Sequence, residues 1–221
     1  HMTPNNFMHE MIAHLKSTGV TFYKNEKVAD IEVSKGKIVK VVTNKQVFNP
    51  DEVVLAAGSW SPSITKKLGL NIPVQAGKGY RIDVTKETGI NYPAILCEAK
   101  VAVTPMDGFT RFAGTMEIAG INHQINTRRV DAIAAGVERY FPKIAITQTE
   151  KAAAACGLRP VTPDGMPYIG KSKACKNLTV ATGHAMMGWS LGPSTGKLVQ
   201  EIIDEKPPSI DMALFHPDRR F

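Results

Sequence analysis

Leu178-Thr-Val-Ala-Thr182-Gly-His-Ala-Met-Met-Gly188-Trp-Ser-Leu-Gly-Pro-Ser-Thr-Gly196 is the stretch whose reading decides the fold. Leu178–Thr182 is an apolar and β-branched run, the pattern of a buried strand. Residues 183–188 form a glycine-flanked turn. Residues 194–205 have helical spacing, with Leu198, Val199, Ile202 and Ile203 on one face and Pro207-Pro208 as the stop. Glycines at such a turn let a planar ligand approach the backbone. The free amides and positive end of the following helix favour negative charge on that ligand. The spacing alone favours an ordinary strand–helix turn capped by His184.

Upstream lies Cys156-Gly-Leu-Arg-Pro-Val-Thr-Pro-Asp-Gly-Met-Pro-Tyr-Ile-Gly170, which reads as a loop punctuated by proline and glycine and carrying one arginine. Pro160 restricts the residue before it, so Arg159 is expected to be extended. Its guanidinium can grip a carboxylate through two parallel hydrogen bonds, or serve a structural salt bridge. Gly165-Met-Pro-Tyr-Ile-Gly-Lys-Ser172 matches the spacing of a phosphate-binding loop, but the context is wrong. No buried strand precedes it, Pro167 removes an amide donor, and no strong helix follows, so it reads as a structural loop.

Further out, residues 6–18 predict a helix with Phe7, Met8, Met11, Ile12 and Leu15 as its apolar stripe, stopped by Gly19. Residues 20–23 predict a short strand, and 27–33 with 37–43 a hairpin. Residues 52–57 read as a buried strand ending in Ala56-Ala-Gly58-Ser-Trp60, whose small residues permit either close approach of a ligand or simple packing. Ser61-Pro62 starts a short helix that Gly69 closes. After Pro73 come short strands at 74–84, 92–96, 100–106 and 109–116, which indicate an antiparallel sheet. A helix follows at 127–141, then a strand at 150–157. Tyr80, in Gly77-Lys-Gly-Tyr80, either offers its hydroxyl to a ligand or packs in the core. The layout is an α/β unit over 1–72, a β-rich insert over 73–155, and a return to the α/β unit over 156–221.

The 221 residues, 43% hydrophobic and 21% charged, are those of an ordinary globular protein. No run approaches the ~20 apolar residues of a membrane span. His1-Met2 reads as the scar of a cleaved tag, and the N-terminus lacks the apolar core of a signal peptide. Cys97, Cys156 and Cys175 are odd in number, without CxxC or a histidine at metal spacing. Reduced thiols in a cytoplasmic protein and no metal site are expected. The net charge of +7 is scattered, with short runs such as Lys66-Lys67 and Arg128-Arg129. It forms no basic stripe interleaved with aromatics, so no nucleic-acid partner is expected. The positive field suits an anionic substrate or an approach to an acidic membrane surface.

Gly157-Leu-Arg-Pro160, Thr162-Pro-Asp-Gly165 and Pro167-Tyr-Ile-Gly170, with Gly183-His184, Gly188 and Pro193-Ser-Thr-Gly196, resemble the C-terminal part of the FAD-dependent D-amino-acid oxidase superfamily. The nearest members are of the D-amino acid dehydrogenase and glycine oxidase kind, and the resemblance runs from Phe7 to the last helix. It implies an α/β (α+β) fold, in which an incomplete FAD-binding Rossmann-like unit is interrupted by an antiparallel β-rich substrate-binding domain. It implies FAD as cofactor and a small amine substrate bearing a carboxylate. Arg159 would bind that carboxylate, with Tyr80 as a second candidate contact. Gly183, His184, Ala185, Met186, Met187, Gly188, Trp189 and Ser190 would line the flavin ring, largely through backbone. Val28 would lie near the adenine, and Gly58 and Trp60 beside the cofactor. Met186 stands where some members have a second polar substrate contact, a role methionine does not fill.

The implied reaction takes a D-amino acid, or glycine, to the imino acid with hydride passing to the flavin. Water then gives a 2-oxo acid and ammonia, and no residue is required as a general base. The family's N-terminal G-x-G-x-x-G turn is missing, since Gly77-Lys-Gly79 leads into a strand. The chain is therefore expected to be a fragment of a longer enzyme, inactive alone, with weak or absent FAD binding and self-association through an incomplete sheet. The parent is expected in the cytoplasm, with peripheral contact to the inner membrane or a quinone. Two alternatives stand beside this. One is the same chemistry on N-methyl amino acids or 2-hydroxy acids. The other is a non-catalytic subunit whose partner completes the FAD site.

Overall fold

The computed structural model describes residues 4–219; the tag-like His1-Met2 lies outside the described residues. In chain order the elements are α1 (Pro4–Ser17), β1 (Val28–Ser34), β2 (Lys37–Thr43), β3 (Val47–Phe48), β4 (Val53–Leu55), α2 (Ser61–Thr65), β5 (Gln75–Val84), β6 (Ala94–Leu96), β7 (Val101–Met106) and β8 (Phe109–Ile118). Then come α3 (Thr127–Tyr140), α4 (Gln148–Ala152), β9 (Ala155–Val161), β10 (Tyr168–Lys171), β11 (Leu178–Thr182) and α5 (Gly188–Ile203). The architecture is mixed α/β, as the sequence indicates. It divides into two compact units. The first holds the residues through Lys24, Lys78–Glu117 and Asn122–Gly157; the second holds Asn25–Gly77, Ile118–Ile121 and the residues from Leu158 onward.

The first unit is built on the sheet β6-β7-β8-β5-β9, in which β7 and β8 pair antiparallel from Val101↔Gly114 to Met106↔Phe109. β5 is buried throughout from Ala76 to Tyr80, and beyond that buried Ile82 and Val84 alternate with half-buried Arg81 and Asp83 in the two-residue strand period. Against the sheet α3 lays Val130, Ile133, Ala134 and Val137, a helical stripe that joins Phe112, Val101 and Val103 in one core. Gly114 permits this approach. A Cβ there would stand 2.8 Å from the Lys100 carbonyl and 3.2 Å from Ile133 Cγ1. α1 has no buried residue, so its apolar stripe of Phe7, Met8 and Met11 is left exposed.

In the second unit β10, β11 and β4 form one sheet. β11 runs parallel to β4, from Leu178↔Val53 to Val180↔Leu55, and antiparallel to β10. β1, β2 and β3 form another sheet, with the expected hairpin. Buried Asn177 stitches the two together. Its Oδ1 accepts from the Ile38 amide at 2.8 Å, and its Nδ2 donates to the Ile38 and Asp51 carbonyls at 3.0 Å each. Leu55, Ile72, Tyr168, Leu178 and Val180 lie in this unit's core.

Four local expectations are corrected. Residues 20–23 form no strand. The region 150–157 begins as α4, because Thr147 and Glu150 close a reciprocal capping box, and extended chain starts at Ala155. Arg159 then lies inside β9 rather than in a loop. α5 begins at Gly188, not at residue 194. Pro193 falls inside it, which costs one hydrogen bond near the helix start and leaves the rest of the ladder intact. The phosphate-loop spacing is structural, as its context suggests: its second half is β10, paired antiparallel with β11. Among the described residues no helix is long and apolar enough to cross a membrane.

Candidate functional site

Parallel pairing puts the carboxyl ends of β4 and β11 at the same end of their sheet. That is where open α/β sheets take ligands. The two following segments are tied together there. Thr182 Oγ1 donates to the Gly58 carbonyl at 3.2 Å and accepts from Ser61 Oγ at 3.1 Å. Gly58 and Trp60 are thus brought beside the turn that starts at Gly183. Buried Ser59 between them has a hydroxyl with no partner among the described residues.

The turn is held by unusual backbone. Gly183 has φ +86° and Ala185 φ +46°. A Cβ on Gly183 would meet Thr162 Cγ2 at 2.6 Å, so glycine is required both by conformation and by space. The Ala185 amide donates to the Pro160 carbonyl at 3.0 Å, and the Met187 amide to the His184 carbonyl at 2.9 Å. His184 does not cap α5 through its ring: Nε2 bonds Thr195 Oγ1 at 2.9 Å, and burial pushes its pKa down toward the neutral imidazole. Met187 is the N-cap residue and makes no side-chain cap bond. The bond from the Leu191 amide to the Met187 carbonyl, 2.9 Å, opens the helix's own ladder, so the amides of Gly188 and Ser190 precede it. Met186 is 70% exposed, and Met187, Trp189 and Trp60 are also exposed. An uncapped helix start, a glycine turn and a run of uncovered apolar side chains fit the pyrimidine edge and apolar body of a flavin ring. The residues present therefore suit FAD.

Arg159 lies half-buried on β9, one residue before the Pro160 carbonyl that holds the turn. Its Nη1 is buried with no partner among the described residues. Burial pushes the guanidinium pKa down from its ordinary value. A buried guanidinium nitrogen without an acceptor is costly, which makes it a ready site for an incoming anion.

Val28 and Tyr80, the two other expected contacts, have surroundings of their own. Val28 lines a separate cavity of about 340 Å³ with Asp30, Ser63, Ile64 and Lys67. Tyr80 belongs to the first unit and is 1% exposed, its hydroxyl donating to Glu117 Oε1 at 2.6 Å. The tyrosine lies in that unit's core.

Sequence reasoning missed three groups. Lys78 is buried and pairs with Glu117 at 3.0 Å, and Glu117 also accepts from Arg129 Nε at 2.6 Å and Asn126 Nδ2 at 3.1 Å. The signal was a lysine in the apolar phase of β5. Thr162 is 4% exposed, lines a cavity of about 460 Å³ with Pro62, Ile72, Gln75 and Pro163, and has an unpaired hydroxyl among the described residues. Arg219 reaches back to Asp164, a contact that nothing local in the sequence announces.

Residues 1–202 match the family model described as DAO, FAD dependent oxidoreductase. The chain is 36% identical over 213 residues to a D-amino acid dehydrogenase of Vibrio vulnificus, covering 93% of this chain and 50% of that protein. It is 32% identical over 216 residues to one of Bradyrhizobium diazoefficiens, covering 96% and 51%. Among solved structures it is similar to glycine oxidase from Geobacillus kaustophilus, with TM-score 0.82 and 24% identity over 93% of this chain and 55% of that one. It is also similar to L-proline dehydrogenase from P. horikoshii, with TM-score 0.82 and 20% identity over 93% and 56%. At such identities the solved structures speak for the fold alone. The chain spans about half the length of the curated relatives it matches.

Proposed function

Because the chain belongs to the family of FAD-dependent oxidoreductases, we propose that it carries the carboxylate-binding arginine and the flavin-ring turn of an enzyme that oxidises D-amino acids, or glycine, to 2-oxo acids and ammonia. One observation carries the reading: the buried, unpartnered Nη1 of Arg159, one residue from the carbonyl that anchors the Gly183–Gly188 turn. The relatives named D-amino acid dehydrogenase support the choice of substrate.

When bound, FAD supplies the two-electron acceptor for the C–H bond at the amine-bearing carbon. Arg159 holds the substrate carboxylate through parallel N–H donors and so fixes that carbon. Gly183, Ala185, Met186, Met187, Trp189, Gly58 and Trp60 form the backbone and apolar wall against the ring. The amides of Gly188 and Ser190 favour negative charge there. His184, bonded through Nε2 to Thr195, keeps the turn in place. Val28 and its cavity serve the adenine end. On this reading residues 1–72 and 156–221 belong to the FAD-binding domain and 73–155 to the substrate-binding domain. The half of the relatives that this chain does not match would supply the pyrophosphate site, so the chain alone holds FAD weakly and is inactive. The same reading puts the whole enzyme in the cytoplasm, in peripheral contact with a membrane or quinone.

The test uses the full-length protein: its visible spectrum before and after anaerobic addition of D-amino acids. A yellow protein that bleaches supports the reading; one that stays yellow refutes the substrate class. Arg159→Ala should raise KM about 100-fold, the worth of ~3 kcal/mol in charge-assisted hydrogen bonds, while the flavin spectrum holds. An unchanged KM removes Arg159 from the site.

A further inference from the structure

A guanidinium can preset its fork for a carboxylate only if the backbone beneath it is fixed. The segment just after Arg159, residues 160–168, is held from two sides. On one side is the turn. Ala185 holds the Pro160 carbonyl at 3.0 Å, and Thr162 Cγ2 packs so close to Gly183 that no Cβ fits between them. On the other side is the arm at residues 216–219. Arg219 donates through Nε and Nη2 to the two oxygens of Asp164, each at 3.0 Å. Nη2 also donates to the Met166 carbonyl at 2.7 Å, and Nη1 to the carbonyls of Pro167 at 3.1 Å and His216 at 3.5 Å.

All five N–H donors of Arg219 are thereby used, four of them on residues 164–167. Its Cζ lies 3.8 Å over the ring of Tyr168, which is fully buried. The rest of the arm grips the next strand. A Cβ on Gly170 would come within 2.9 Å of Pro217 Cδ, and Asp218 accepts from the Lys173 amide at 3.0 Å.

We propose that Arg219 is a positioning residue: from the arm it clamps the Asp164–Pro167 loop and so sets the guanidinium of Arg159 for a substrate carboxylate. The proposal rests on the reading that Arg159 binds that carboxylate. Geometry favours a positioning role over a charge role. A planar fork spread over one carboxylate and three carbonyls fixes direction at several points, whereas a lysine at the same place would supply charge without the fork.

The experiment has two readouts, each on Arg219→Lys and Arg219→Ala. The first is the side-chain Nε–Hε resonance of Arg159 in the ¹⁵N-arginine-labelled chain, assigned by its loss in Arg159→Lys. It is expected to shift or broaden in both variants. An unchanged resonance in Arg219→Lys overturns the proposal. The second is steady-state kinetics of the full-length protein. KM for the amino acid is expected to rise tenfold or more in Arg219→Lys, with kcat at saturation and the flavin spectrum little changed. A lysine that fully restores wild-type KM also overturns the proposal, since charge alone would then suffice. Arg159→Ala is run in parallel to separate the two ideas. If the resonance moves in the Arg219 variants while Arg159→Ala leaves KM unchanged, the clamp stands and the carboxylate reading falls.

Discussion

Gly183→Ala probes the packing that joins the proposed flavin turn to the strand of Arg159. Gly183 sits at φ +86°, where an L-residue costs roughly 1–2 kcal/mol. The added methyl also restricts the unfolded chain, which returns about 0.4–1 kcal/mol. Gly58, at φ +53° with nothing within 4 Å of the place a methyl would take, carries those two terms alone. Gly58→Ala should therefore cost about 1 kcal/mol. At Gly183 the new Cβ also meets Thr162 Cγ2 at 2.6 Å, Tyr168 Cδ2 at 3.4 Å and the Pro167 Cα at 3.7 Å. None of these can move freely: Thr162 and Tyr168 are buried, and Arg219 lies over the tyrosine ring. Overpacking against such a wall adds about 1–3 kcal/mol, for a total of about 2–4. Denaturant unfolding of both variants, followed by far-UV circular dichroism, measures the difference. In a chain of this size each kcal/mol lowers Tm by about 2–4 °C. If Gly183→Ala costs no more than Gly58→Ala, the turn and the Arg159 strand are not packed as described.

Two further outcomes are expected. Hydrogen bonds from Tyr80 first, then Lys78, with Arg129 and Asn126, hold the Glu117 carboxyl at about 2 against the effect of burial. The folded value lies below the ordinary ~4.3, so the stabilisation is complete above that pH and is lost as pH falls through about 2. Glu117→Gln should be less stable at neutral pH and show a flatter stability profile across that window; a slope equal to wild type would refute the network's role. We also expect the isolated chain to self-associate. β4 pairs with β11 along one edge, no strand pairs with its other edge among the described residues, and Val54 is exposed. Sedimentation should show mass rising with concentration, and Val54→Lys should reverse it, since an edge lysine opposes strand pairing. A wild-type monomer at every concentration would refute this.

Local pattern makes much of the fold legible. β11 is readable as an apolar run, the β1–β2 hairpin from Ser34-Lys-Gly36, and α3 from its stripe of Val130, Ile133, Ala134 and Val137. Arg159 stands out because Pro160 fixes its backbone. The start of α5 misleads because a proline usually opens a helix, whereas here Pro193 lies within one that an uncapped turn has already begun. α4 hides behind alanines that suit a strand end as well as a helix, and its capping box is the signal that betrays it. Other links are beyond any local pattern. Asn177 bonds Ile38 across 139 positions and Arg219 bonds Asp164 across 55, and no periodicity announces such pairs. Tyr80 can be placed only through Glu117, 37 residues away, which takes its hydroxyl.

The bond between the Ala185 amide and the Pro160 carbonyl gives these pieces a common logic. An oxidation of this kind needs few acid–base groups and accurate placement, since a misplacement of about 1 Å can cost a hundredfold in rate. If Arg159 holds one end of the substrate and the turn faces the ring, the distance between them is set by backbone, through Ala185 to Pro160. Side-chain flexibility enters only at the guanidinium itself. Ala185, a non-glycine residue at φ +46°, is then a conformational cost accepted to bring that amide to that carbonyl, and glycine at 183 avoids a second. The strain at Ala185 then belongs to the separation of substrate and cofactor, and relieving it there should disturb both together.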